Sequence, residues 1–225
     1  MVSTPLSSRS SVPPAQLRQW LRLNLVTNQA SLQGRRLTDV VLAAVQGGVS
    51  SVQLREKTLG TRDFYAQAVA LMAVLAPLGV PLIINDRVDI ALACGAQGVH
   101  LGQSDLPALQ ARQILPPEVF IGWSVETPAD VARASSLPVD YLGVSPVFAT
   151  PTKTDTQPAW GLSGLKQIRA DTDALLVAIG GIHAGNGRAV LAAGADSLAV
   201  VSAICAAADP HAAARQLRTL CDDMP

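Results

Sequence analysis

Three stretches read alike: Gln46-Gly47-Gly48-Val49-Ser50-Ser51-Val52-Gln53-Leu54, Ala93-Cys94-Gly95-Ala96-Gln97-Gly98-Val99-His100-Leu101 and Ala193-Gly194-Ala195-Asp196-Ser197-Leu198-Ala199-Val200. Each ends an alanine-rich helical segment, passes through a glycine able to take the left-handed helix cap, and enters a short apolar strand. A helix feeding a buried strand, repeated along a chain, is the pattern of βα units around a parallel sheet. Working outward from these phrases gives eight strands, over residues 21–27, 49–54, 81–84, 98–101, 120–124, 141–144, 175–179 and 197–201. Helices fit between them, for example over 61–76, 128–134 and 186–193. With the first 14 residues set aside, about 26 residues remain per unit, the compact end of a (β/α)8 barrel. No G-x-G-x-x-G or Walker-type turn follows an early strand, as an open doubly wound sheet would favour. The expected fold class is α/β, a (β/α)8 TIM barrel. It forms a single catalytic domain over residues 15–225, behind a flexible tail at 1–14 rich in Ser and Pro.

The chain has 225 residues, 49% hydrophobic and 15% charged, and its 17 basic side chains balance 17 acidic ones. A neutral chain lacks the excess of Lys and Arg that nucleic-acid binding requires. Its apolar content equally excludes a disordered solvating chain. The longest apolar run, over 66–84, is interrupted by Gln67, Pro77, Gly79 and Pro81, and reads as a buried helix, a turn and a buried strand rather than a membrane span. The N-terminal residues lack the apolar stretch of a signal peptide. Three cysteines, Cys94, Cys205 and Cys221, show no paired close spacing and read as buried reduced thiols. The expectation is a cytoplasmic protein with no nucleic-acid or membrane partner; a homo-oligomer is left open.

In such a barrel the chemistry lies in the loops at the C-terminal ends of the strands. Polar residues collect there. Strand two is followed by Gln53, Arg55, Glu56 and Lys57, strand three by Asn85, Asp86 and Arg87, and strand four by Gln103, Ser104 and Asp105; strand five ends in Ser124. Asp86 and Asp105 leave adjacent strands, so their carboxylates can converge on Mg²⁺, which takes one or two carboxylates and completes its shell with water and phosphate oxygens. Capping of the next helix by Asp86, or pairing with Arg87, is the plainer alternative. Arg55 and Lys57 on the neighbouring strand favour metal plus diphosphate. The long stretch over 146–161 contains Thr150-Pro151-Thr152-Lys153-Thr154, which suits a phosphate-gripping lid, although a solvated loop explains it as well. Gly180-Gly181 after strand seven and Val201-Ser202 after strand eight stand where such barrels hold phosphate through bare backbone N–H groups. Two anion sites point to a reaction between two phosphorylated small molecules. His100 and His211 read as structural, and His183 as a helix-cap residue. Trp123 and Trp160 read as packing residues. No nucleophile–His–acid series is evident.

These residues closely resemble the thiamine-phosphate synthase (thiamine-phosphate pyrophosphorylase) family. The resemblance runs through Gln53-Leu54-Arg55-Glu56-Lys57, Ile84-Asn85-Asp86-Arg87, Gly98-Val99-His100-Leu101-Gly102-Gln103-Ser104-Asp105-Leu106 and Ile121-Gly122-Trp123-Ser124. It continues in Asp140-Tyr141-Leu142-Gly143-Val144-Ser145-Pro146-Val147-Phe148, Thr150-Pro151-Thr152-Lys153, Val177-Ala178-Ile179-Gly180-Gly181-Ile182 and Ala199-Val200-Val201-Ser202. It covers roughly residues 20–210 in one order. The family is a (β/α)8 barrel that joins hydroxymethylpyrimidine diphosphate to a thiazole phosphate, including its carboxylated form, and releases diphosphate. The resemblance implies that Gln53, Leu54, Arg55, Glu56, Lys57, Asn85, Ser124 and Lys153 contact the pyrimidine diphosphate. Asp86 and Asp105 would hold Mg²⁺. Thr150, Pro151 and Thr152, with Gly181, Val201 and Ser202, would bind the thiazole phosphate. Arg55, Lys57, Ser124 and Lys153 would be catalytic. Departures from the family pattern are Val26-Thr27-Asn28 where Val-Thr-Asp is common, Val125-Glu126-Thr127 after Ser124, and the tail before residue 15. Two other readings are a thiazole tautomerase on the same barrel and a non-catalytic sensor of thiamine phosphate; the retained Arg55, Lys57, Asp86, Asp105 and Lys153 speak against both.

Overall fold

The computed structural model describes residues 9–150 and 157–223. Within them eight parallel strands close into a barrel in sequence order: β1 Leu23–Val26, β2 Ser51–Leu54, β3 Leu82–Asn85, β4 Gly98–Leu101, β5 Phe120–Val125, β6 Tyr141–Val144, β7 Leu175–Ala178 and β8 Ser197–Val200. The helices α1 Pro14–Trp20, α2 Leu37–Gln46, α3 Thr61–Leu75, α4 Val88–Cys94, α5 Ala108–Ile114, α6 Pro128–Ala134, α7 Gly161–Asp171, α8 Gly187–Ala192, α9 Ser202–Cys205 and α10 Pro210–Asp222 complete the chain. The repeated phrase works as its residues suggest. Gly95 closes α4 in the left-handed region (φ +71°), its N–H returning to Ala91 and Leu92 carbonyls, and the chain then enters β4.

Strand side chains alternate between two apolar layers. One packs against the helices and includes Leu25, Leu54, Ile84, Val99, Leu101, Trp123 and Leu142. The other fills the barrel with Val26, Ile83, Phe120, Tyr141, Leu175, Val177 and Ala199. The barrel's N-terminal end is stoppered by Leu17 and Leu21, with Val12 and Trp20 against them. Helix α1 therefore occupies a stretch for which the sequence offers no element, between the expected tail, which ends at Pro14, and the expected first strand, which starts at Leu21. Leu21 caps α1 and is fully buried, so β1 begins two residues later than expected.

The residues before α1 also contact the barrel. Asp140, 9% exposed, accepts hydrogen bonds from the Ser10 backbone N–H at 2.9 Å, the Ser10 hydroxyl at 2.8 Å and the Ile121 N–H at 2.7 Å. The Ser11 N–H donates to the Pro117 carbonyl at 2.7 Å. Hydrogen bonds to a charged acceptor contribute about 1.5–3 kcal/mol, and removing the acceptor leaves a buried Ile121 donor unmet. Asp140→Ala is accordingly expected to lower stability by about 2 kcal/mol, read as a lower urea midpoint at unchanged slope.

Cys205 and Cys221 are buried free thiols that burial pushes up to about 11, and Cys94 is partly buried. No helix among the described residues is long and apolar enough to cross a membrane.

Candidate active site

The loops after the strands open into two adjoining cavities. The first, about 290 Å³, lies over β2 to β6 and is lined by Gln53, Arg55, Lys57, Asn85, Asp86, Asp105 and Ser124 among others. The second, about 280 Å³, lies over β7, β8 and β1, and is lined by Thr150, Gly181, His183, Val201 and Ser202 among others. Val26, Arg55, Ser145, Ile179 and Ala199 line both, so the cavities share a wall.

Local geometry explains how the first cavity acquires its charges. Thr27, fully buried, accepts the Arg55 N–H through its hydroxyl at 3.0 Å, which fixes the chain as it leaves β2. Alternation along β2 turns Gln53 inward and Leu54 outward. Leu54 is fully buried in the layer facing the helices and lines neither cavity. Glu56 also lies off both cavities; burial pushes its carboxyl up, Arg55 opposes the shift, and Oε1 finds no hydrogen-bond partner among the described residues. Of the Gln53–Lys57 stretch, Gln53, Arg55 and Lys57 face the site, whereas Leu54 and Glu56 do not.

Asp86 sits in the left-handed region (φ +65°), held by its N–H donating to the His100 carbonyl at 2.9 Å and by the tight turn from the Arg87 N–H to the Asn85 carbonyl at 2.8 Å. Among non-glycine residues Asp tolerates this conformation comparatively well, and held conformations of this kind concentrate at functional sites. Its Oδ2 pairs with the Lys57 ammonium at 2.5 Å. The alternative partner, Arg87, instead pairs with Asp89 at 2.6 Å. Asp105 folds back so that Oδ2 accepts the Gly102 N–H at 2.7 Å. Burial pushes the Asp105 carboxyl above the ordinary carboxylate range; the Gly102 N–H opposes this, the adjacent Asp86 adds to it, and Lys57 pulls it back. Two crowded carboxylates are relieved by a cation between them. Among the described residues no group of three or more His, Cys, Asp or Glu side chains could hold a metal. Asp86 and Asp105 offer two neighbouring carboxylates, the kind of donor set that a hard octahedral ion such as Mg²⁺ takes together with water and ligand oxygens.

Ser124 lies at the cavity's far wall. Its Oγ is 2.8 Å from His100 Nε2, and His100 Nδ1 is 2.8 Å from the Tyr141 hydroxyl. Gln103 Nε2 donates to the Ser124 carbonyl at 2.6 Å. Sequence reasoning left His100 as structural and did not single out Tyr141 or Asn24, yet all three line the first cavity. The available signal was alternation: with Val99 and Leu101 outward on β4, His100 has to point inward.

In the second cavity, Gly180 (φ +105°) and Gly181 (φ +64°) owe their identity to close packing as much as to conformation. A Cβ on Gly180 would lie 2.7 Å from Pro146 Cβ, and one on Gly181 2.8 Å from Phe148 Cβ. The Val147 N–H donates to the Ile179 carbonyl at 2.8 Å and the Phe148 N–H to the Gly180 carbonyl at 3.0 Å, which brings Thr150 to the cavity rim. Pro151, Thr152 and Lys153 lie outside the described residues. His183 lines this cavity while its Nδ1 accepts the Gly185 N–H at 3.1 Å. Trp123 is buried in the helix-facing layer and Trp160 packs against that layer. Of the departures, Asn28 caps a short 3-10 turn over Gln29–Leu32, Glu126 lines the first cavity, and Thr127 caps α6 reciprocally with Asp130.

Fold and site together define a (β/α)8-barrel enzyme with a two-chambered, charged site at the C-terminal ends of its strands. The chain belongs to the thiamine monophosphate synthase family, whose sequence model matches residues 23–204. It is 72% identical over 204 residues to the thiamine-phosphate synthase of Albidiferax ferrireducens, covering 91% of this chain and 93% of that one. To the thiamine-phosphate synthase of Vibrio parahaemolyticus it is 52% identical over 202 residues, covering 89% and 98%. The solved thiamine phosphate pyrophosphorylase of Pyrococcus furiosus superposes with a TM-score of 0.84 at 34% identity, covering 92% of this chain and 98% of that one.

Proposed function

We propose that this chain, as one catalytic barrel over residues 15–225, joins 4-amino-2-methyl-5-hydroxymethylpyrimidine diphosphate to 4-methyl-5-(2-phosphoethyl)thiazole to give thiamine phosphate and diphosphate. The observation that carries this reading is the pair of adjoining cavities with Arg55 in their common wall. One holds the carboxylates and Lys57; the other has the paired glycines and Ser202. Each suits one phosphorylated substrate, and the shared wall is where a bond between the two would form. The carboxylated thiazole phosphate fits the same scheme as a further substrate. Both substrates are charged and membrane-impermeant, which agrees with a cytoplasmic reaction.

In this reading Asp86 and Asp105 hold Mg²⁺, which supplies Lewis-acid neutralisation of the diphosphate oxygens when bound. Arg55 and Lys57, with Lys153, balance the remaining negative charge, which grows on the bridging oxygen as the C–O bond breaks. Gln53, Asn85 and Ser124 orient the pyrimidine. The C–O electron pair leaves with the diphosphate, and the thiazole nitrogen donates its lone pair to the methylene carbon left behind. No general base is required, because that nitrogen carries no proton. Thr150, Thr152, Gly181, Val201 and Ser202 hold the thiazole phosphate, with the nitrogen facing the shared wall. A tautomerase acting on the thiazole alone would have no use for Arg55, Lys57, Asp86 and Asp105 together.

The test is diphosphate release from the two substrates, with and without Mg²⁺. Release that needs both substrates and the metal, with stoichiometric thiamine phosphate, is the expected result. Thiazole-phosphate binding with no release would overturn it.

A further inference from the structure

Below Ser124 two successive rows of the barrel are built around aromatic rings and glycines. In the lower row His100 of β4 lies opposite Gly122 of β5, which lies opposite Tyr141 of β6. The Tyr141 ring crosses over Gly122, where a Cβ would come within 2.0 Å of it, and so reaches His100 two strands away. In the upper row Ser124 lies opposite Gly143, and the His100 ring occupies the space a Gly143 side chain would take, 2.8 Å from that Cβ position. Two glycines thus leave room for an unbroken line of hydrogen bonds, Tyr141 hydroxyl to His100 Nδ1 and His100 Nε2 to Ser124 Oγ, each 2.8 Å.

The direction of that line follows from its buried end. Tyr141 is 1% exposed and its hydroxyl has no hydrogen-bond partner other than His100 among the described residues. Burial, aided by Asp140, keeps the phenol protonated. A buried O–H with one partner donates to it, because an unmet donor there costs about 1–3 kcal/mol. His100 Nδ1 is then the acceptor, so in the neutral ring Nε2 carries the hydrogen and donates to Ser124 Oγ. The Ser124 hydroxyl hydrogen is left to point away from His100, towards the cavity.

We infer that Tyr141 and His100 are positioning residues that set Ser124 as a hydrogen-bond donor to an acceptor nitrogen of the pyrimidine ring. The inference rests on the reading of the first cavity as the pyrimidine diphosphate chamber. It explains why a tyrosine that is 1% exposed at the edge of the cavity turns its hydroxyl onto His100.

The test is a double-mutant cycle on the full chain with Ser124→Ala, Tyr141→Phe and the pair, reading KM for each substrate and kcat. Thermal unfolding checks that each variant folds; Tyr141→Phe keeps the ring. Ser124→Ala is expected to raise KM for the pyrimidine diphosphate about tenfold, the scale of one lost hydrogen bond, and to leave KM for the thiazole phosphate unchanged. Tyr141→Phe is expected to raise it roughly threefold when Ser124 is present and not at all when Ser124 is absent. An equal factor in both backgrounds would overturn the relay while sparing the chamber assignment. If Ser124→Ala changes nothing, the contact itself fails, and the relay fails with it. A second readout is nitrogen-15 NMR of the three histidines, where His100 should show the Nε2–H form; an Nδ1–H signature reverses the line and sinks the inference.

Discussion

Asp86→Asn is expected to lower turnover by about 10²–10³-fold, the cost of removing one electrostatic stabiliser of developing charge. The substitution keeps the shape of the side chain and the tolerance for φ +65°, so the tight turn after β3 survives. What it removes is charge: the partner of Lys57 at 2.5 Å and one of two carboxylates available to Mg²⁺. Thiazole-phosphate binding should change less than twofold by calorimetric titration, because neither Asp86 nor Asp105 lines the second cavity. Asp86→Ala should lose as much activity and some stability besides, since alanine in the left-handed region costs about 1–2 kcal/mol. Equal loss of affinity for both substrates in Asp86→Asn would show that the two-chamber assignment is wrong. Steady-state rates across a magnesium series complete the measurement, with a higher metal requirement expected in the variant.

Gly122→Ala is expected to be among the most damaging single-methyl changes in the chain. A Cβ there would lie 2.0 Å from Tyr141 Cζ and 2.4 Å from its hydroxyl oxygen, against a ring that is 1% exposed and held by its hydrogen bond to His100. Overpacking of a well-filled core costs about 1–3 kcal/mol and occasionally more, and this clash belongs at the upper end, about 3 kcal/mol. Urea unfolding would measure it. Gly95→Ala is the natural control: that glycine has φ +71° but nothing within 4 Å of its Cβ position, so only the conformational cost of about 1–2 kcal/mol applies. A Gly122→Ala loss no larger than that of Gly95→Ala would mean that the barrel floor yields more than its packing suggests.

The barrel was legible because its grammar is local. A helix end, a glycine and an apolar tetrad can be recognised within nine residues, and every strand falls within two residues of its expected bounds. Helix α1 was hard to read because its local mark is slight: Pro14 stands at the first helical position, with no side-chain cap before it. Its apolar residues, Leu17 and Leu21, are explained by the open barrel end they fill, which forms only when strands from the whole chain have closed. The site divides in the same way. Asp86, Arg55 and Lys57 could be read as charges at strand ends. Leu54 belongs to the same motif but faces the helices, because the period of two along a strand outranks membership in a phrase, and Glu56, past the end of β2, lines neither cavity. His100 escaped notice because its partners, Ser124 and Tyr141, are 24 and 41 residues away and meet it only through the register of three strands.

The stopper that Leu17, Leu21 and Trp20 form at the barrel's N-terminal end has a consequence for traffic. Among the described residues that end of the barrel is filled, so traffic belongs to the opposite end. Two substrates must come in, and diphosphate and the joined product must go out, at the end where both chambers lie and share the wall at Arg55. With arrivals and departures confined to one end of the barrel, the order in which molecules come and go is a property of the architecture before it is a property of any affinity.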